Sequence, residues 1–147
     1  MNYLNEAIKE ANIGLENNLG GPFGAVIVKD NTIIGRGCNK VLKDHDPTAH
    51  AEISAIRDAC NYLGTHDLTD CVIYTTSEPC PMCLSAIMWA NIKTIYFGTD
   101  RKEVEAIGFK DNFIYNYLKN PDDSLKIIHI ENEECKTLLK QYNNIIY

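Results

Sequence analysis

The chain has 147 residues, 45% of them hydrophobic and 23% charged, which suits one domain spanning residues 1–147 with a core of its own. Lys and Arg number 14 against 20 Asp and Glu, and the net charge of −6 argues against a broad phosphate-binding surface. No stretch approaches the about 18 apolar residues of a membrane span, and "MNYLNEAIKEAN" is too charged for a signal peptide, so a cytoplasmic chain is expected.

Leu4, Ala7, Ile8, Ala11 and Leu15 recur at helical spacing and predict a first amphipathic helix. "NNLGGPFG" breaks it. "FGAVIVKDNTIIGRGCN" then reads as two strands around a tight turn at Asp30-Asn31. "KVLKDHDPT" reads as loop, and "PTAHAEISAIRDACNYLG" as a helix whose apolar face carries Ala49, Ile53, Ile56, Cys60 and Leu63. "CVIYTTSE" is a buried strand, Pro79 restarts a helix through "MWAN", and "KTIYFGT" is another strand, parallel to the one before it. A charged, irregular segment follows up to Asn120. "SLKIIHI" is expected to be a last strand and Glu133–Tyr142 a last helix. The fold class is α/β, with helices on both faces of a mixed sheet of about five strands.

The helix from Pro47 opens strangely, because His50 and Glu52 lie two residues apart. Within a helix that spacing turns side chains roughly 200° apart. The two can share a site only if His50 sits at an irregular helix mouth. A second cluster supplies a reason. Cys80 and Cys83 stand three apart behind Pro79, in a first helical turn where the macrodipole favours thiolates. Six cysteines in a cytoplasmic chain favour metal binding or catalysis over disulfides, and Cys38, Cys60, Cys71 and Cys135 read as small buried or half-buried thiols. Two thiolates and an imidazole make three ligands, the number of a catalytic zinc that keeps one position for water. Glu52 then serves a different purpose. A zinc-activated water releases a proton, and a carboxylate beside it can take that proton and hand it on.

His50-Ala51-Glu52 followed by Pro79-Cys80-Pro81-Met82-Cys83 resembles the cytidine deaminase-like superfamily of zinc-dependent base deaminases. The likeness extends from "GGPFGAVIV" through "DPTAHAE" and "EPCPMC" to "GFKDNFIY" and Tyr147, and these outer segments look most like its bacterial guanine deaminase branch. The resemblance implies a three-layer αβα fold, one zinc per chain and hydrolytic removal of ammonia from a purine base. It also implies roles: Phe23 packing on the purine opposite His50, Asn39 bonding the base edge, and Trp89 lining the pocket. Asp111 would share in proton transfer, and Tyr147 would close the site of a neighbouring subunit in a swapped homodimer. Lys110 departs from that branch, which carries a second acid beside Asp111.

Each role has a plainer alternative. Trp89 and Phe23 fit a core, Asn39 fits a turn, Asp111 fits the N-cap of "NFIYNYL", and Tyr147 fits a frayed terminus. A tRNA adenosine deaminase has similar zinc segments, and cytosine is a further substrate. The acidic balance favours a free base over nucleic acid.

Overall fold

A computed structural model describes residues 2–147. Helix α1 (Tyr3–Glu16) begins where the Asn2 side chain accepts the Asn5 N–H. Strands β1 (Gly24–Lys29) and β2 (Thr32–Cys38) pair antiparallel. Asp30 and Asn31 both take positive φ, 46° and 60°, the left-handed pair that a two-residue turn of this twist requires. The segment expected as loop holds one helical turn, α2 (Val41–Asp44). Then come α3 (Ala51–Leu63), β3 (Val72–Ser77), α4 (Pro81–Trp89) and β4 (Thr94–Thr99). β3 and β4 are parallel, as the strand–helix–strand order predicts, and the sheet runs β2-β1-β3-β4.

Helices cover both faces. Ala25 and Ile27 of β1 enter a core shared with Ala55 of α3 and Ile87 of α4, while α1 crosses the other face. α3 lies unusually close to β2. A side chain at Gly35 or Gly37 would run into the backbone of Ala55 and Ala51, so only glycine lets these elements meet. The most deeply buried residues of α3 are accordingly small. Ala51, Ala55 and Ala59 are fully enclosed, whereas the expected Ile56, Cys60 and Leu63 pack at the core's margin.

The last third differs from the sequence expectation. The supposedly irregular stretch contains α5 (Arg101–Ala106), opened by an Asp100–Glu103 capping box, and α6 (Asp111–Lys119). Ser124–Ile130 forms no strand, so the sheet has four strands rather than about five. A strand needs a partner, and the chain does not bring this segment to the outer edge of β4. Helix α7 (Glu133–Gln141) is where the last helix was expected, but Cys135 upon it is exposed rather than buried. No helix among the described residues is long and apolar enough to cross a membrane.

Candidate active site

Strand directions gather the site. Because β1 is antiparallel to both neighbours, the residue before it (Phe23), the residue after β2 (Asn39) and the end of β3 (Ser77) share one end of the sheet. Two helix starts meet them there. His50 is the N-cap of α3, with extended backbone at φ −71° and ψ 158°, and Cys80 is the N-cap of α4, at φ −65° and ψ 167°. The helix mouth required by the His50–Glu52 spacing is therefore real. Pro47 and Thr48 lie outside the helix, in a turn where Thr48 donates backbone N–H and hydroxyl to Asp46.

Nδ1 of His50 lies 3.5 Å from the sulfurs of both Cys80 and Cys83. Tetrahedral zinc with ordinary Zn–N and Zn–S bonds holds such atoms about 3.6 Å apart. The donor set and its spacing fit zinc, and among the described residues the cluster has three ligands. The hydrogen bond from Cys83 holds the Cys80 thiol far below its usual range, and the same bond drives Cys83 upward. A divalent cation would displace the remaining proton. The bond to Cys80 also raises His50.

Glu52 is buried within α3, its Oε2 3.4 Å from the Cys83 sulfur. Burial pushes its carboxyl up to about 7. Near neutrality such a group can both accept and return a proton. Asp111 faces the same cleft from the first turn of α6. Its half-buried carboxyl is raised by burial and then by the negative Cys80. It is not the helix cap: Lys110 holds that position and makes no capping bond with its side chain.

Asn39 is 4% exposed, and its Oδ1 accepts the backbone N–H groups of Gly21 and Val41 at 3.3 and 3.1 Å. It therefore does close a turn. With the oxygen committed, it offers the cleft its amide N–H groups. Phe23 combines both of its readings, packing against the core while lining the cleft.

Trp89 and Tyr147 are placed elsewhere. Trp89 is 63% exposed, so it is no core residue, and its ring lies 5.9 Å from that of Tyr147 on the outer side of α4. Neither lines the cleft of its own chain. Sequence reasoning missed Ser77, Glu78 and Phe109. Phe109 meets Phe23 edge-on at 4.9 Å, and its place two residues before Asp111 in "GFKDNF" was the available signal.

Residues 1–99 match the family described as the cytidine and deoxycytidylate deaminase zinc-binding region. Guanine deaminase of Bacillus subtilis (strain 168) is 47% identical over 125 residues, 85% of this chain and 80% of its own. An X-ray structure of guanine deaminase from Bacillus subtilis superposes with a TM-score of 0.89 at 40% identity, covering 99% of this chain and 96% of that one. The tRNA-specific adenosine deaminase of Aquifex aeolicus (strain VF5) is 36% identical, over 98% of this chain and 97% of its own.

Proposed function

Because the chain belongs to the cytidine and deoxycytidylate deaminase zinc-binding family, we propose that it hydrolyses guanine to xanthine and ammonia. The observation that carries this reading is the joint presence of the His50–Cys80–Cys83 trio, buried Glu52 and Asp111 in one cleft. The likeness to guanine deaminase over nearly the whole fold supports it.

His50, Cys80 and Cys83 would hold the zinc, which would supply a Lewis acid able to bring the acidity of water near neutrality. The remaining work belongs to the chain. Phe23 and His50 present ring faces to a flat base, and the Asn39 amide donates to an acceptor on its edge. Replacing the amino group by oxygen adds water to the amine-bearing carbon and breaks the carbon–nitrogen bond. Two proton movements are needed, one off water and one onto the departing amine. Glu52 takes the first and hands it on, because its buried carboxyl sits beside the metal ligands and exchanges a proton near neutrality. Asp111, on the cleft wall from α6, assists the second.

The protein acts as a homodimer in which the tail of one protomer closes the cleft of the other. Three features support this: Tyr147 lies away from its own cleft, Ile127, Ile130 and Leu139 are uncovered, and β4 keeps an unpaired edge. Six free cysteines suit the cytoplasm.

Adenosine in tRNA is the second reading, favoured by the Aquifex aeolicus likeness. A net charge of −6 opposes it, since RNA brings phosphates. Ammonia release from guanine, guanosine and a tRNA stem-loop separates the two. Guanine should turn over fast, guanosine weakly or not at all, and the stem-loop not at all, with little dependence on salt. Adenosine-to-inosine conversion in the stem-loop, falling steeply from about 50 to 200 mM salt, would transfer the assignment to tRNA.

A further inference from the structure

Asp111 sits on a helix with little to hold it. No residue of α6 is buried, its N-cap makes no side-chain bond, and Phe113 and Leu118 are more than half exposed. Yet a proton group in a reaction must be held to fractions of an ångström. Tyr115 supplies a fixing point. It lies four residues after Asp111, so it projects from the same face of α6, one turn along.

The surroundings of Tyr115 form a closed set of contacts. Its hydroxyl donates to the Pro79 carbonyl at 2.7 Å, on the residue immediately before Cys80. The Arg101 guanidinium lies 4.3 Å from its ring centroid. Arg101 is in turn held by Glu78 twice, with Nε 3.3 Å from Oε1 and the backbone N–H donating to Oε2 at 2.9 Å. Glu78 and Pro79 are the two residues between β3 and Cys80. The strut thus ties the helix bearing Asp111 to the segment bearing a metal ligand. The other side-chain bond reaching α6 from a different element is Asn112 Nδ2 to Glu105 Oε2, which is exposed to solvent and joins two peripheral helices.

We propose that Tyr115, clamped between Arg101 and the Pro79 carbonyl, is the positioning residue that sets Asp111 in the cleft. The inference rests on the proton role given to Asp111 above. Tyr115 touches no reacting atom. Its ring gives α6 a fixed distance from the Glu78–Pro79 backbone, and its hydroxyl fixes the rotation of the helix about its axis.

A double-mutant cycle on guanine turnover tests this. Tyr115→Phe keeps the ring over Arg101 and loses only the bond to Pro79. It should lower kcat about tenfold with KM nearly unchanged and zinc content intact. In the Asp111→Ala background, Tyr115→Phe should cost almost nothing more, because there is no carboxyl left to position. Arg101→Met should behave in the same way. In the zinc-loaded protein, amide exchange over residues 112–119 should rise about tenfold in Tyr115→Phe, a readout that needs no turnover. Additive losses in the cycle, or unchanged exchange, would overturn the positioning role alone. Normal turnover in Asp111→Ala would instead sink the proton role of Asp111, and the strut's purpose with it.

Discussion

Up to Ile92 each longer helix hides a face: α1 encloses Ala7, Ala11 and Gly14, and α3 encloses Ala51, Glu52, Ala55 and Ala59. Beyond β4 the helices hide almost nothing. α5 buries Val104, while α6 and α7 bury no residue, although both carry apolar stripes. The match to the zinc-binding family ends at Thr99, close to where burial ends. The first region folds against itself and carries the three metal ligands. The second is patterned for contact, and a single chain offers it little surface to contact. The metal trio therefore belongs to the packed first region, while the uncovered helices belong to the second.

The largest effects belong inside the first region. Cys83→Ala removes a ligand and should abolish both zinc binding and turnover, with a lower Tm because ligand binding contributes to folding. Glu52→Gln keeps the shape and loses the proton. It should retain about one zinc per chain while kcat falls by roughly 10²–10⁴. Both variants should keep the oligomeric state of the parent. Full zinc occupancy in Cys83→Ala, by elemental analysis, or a near-normal rate in Glu52→Gln would dissolve the separation between ligand and proton carrier.

Deleting Ile146-Tyr147 tests the other side of the comparison. Tyr147 is 70% exposed and touches only Trp89 and His66 among aromatic rings, so Tm and zinc content should barely move. Turnover of guanine should nevertheless fall at least about tenfold if the tail closes a neighbour's cleft. Mixing the truncated protein with Glu52→Gln protein should restore part of the rate, since one protomer lends a tail and the other a carboxylate. Unchanged kinetics after truncation would leave the tail without a catalytic part.

The same division explains what could be read from the sequence. His50, Cys80 and Cys83 were legible because metal ligation demands fixed residue types at fixed spacing, Glu52 because a proton carrier must stand beside them, and the helix mouth at His50 followed from geometry alone. The Asp30-Asn31 turn and the parallel β3–β4 pair were legible for a similar reason: local backbone chemistry and connection length settle them. The alanine seam of α3 was not, because its cause is Gly35 and Gly37 on another element. Ser124–Ile130 has strand-like residues, but pairing depends on what the segment meets, and within one chain it meets no edge. α5 escaped notice although Asp100 and Glu103 carry a capping-box signature, and α6 was legible only as the helix that Asp111 would cap. Phe23 and Asn39 were found by likeness, and their double duty, packing or turn closure together with cleft lining, appears only in three dimensions.

The smallest expected effect concerns how the first region holds its own edge. Arg36 on β2 donates to Glu10 at 3.1 Å and to Glu6 at 3.0 Å, tying α1 to the hairpin beside it. Lys9 and then Arg36 hold the Glu6 carboxyl below its ordinary value of 4.5. A carboxyl with a depressed folded value stabilises the fold above its unfolded value, and that contribution disappears as pH falls through the folded one. Arg36→Met should therefore lower Tm slightly at pH 7, and the gap from the parent should close as pH drops below 4.5. High salt should shrink the gap as well, because these side chains border solvent. The tail-deleted protein should show the same pH-dependent gap, since no partner in this cluster lies beyond Arg36 in the chain. A Tm difference that stays constant from pH 7 down to pH 3 would mean that Arg36 supports α1 through its packed stem, with charge playing no part.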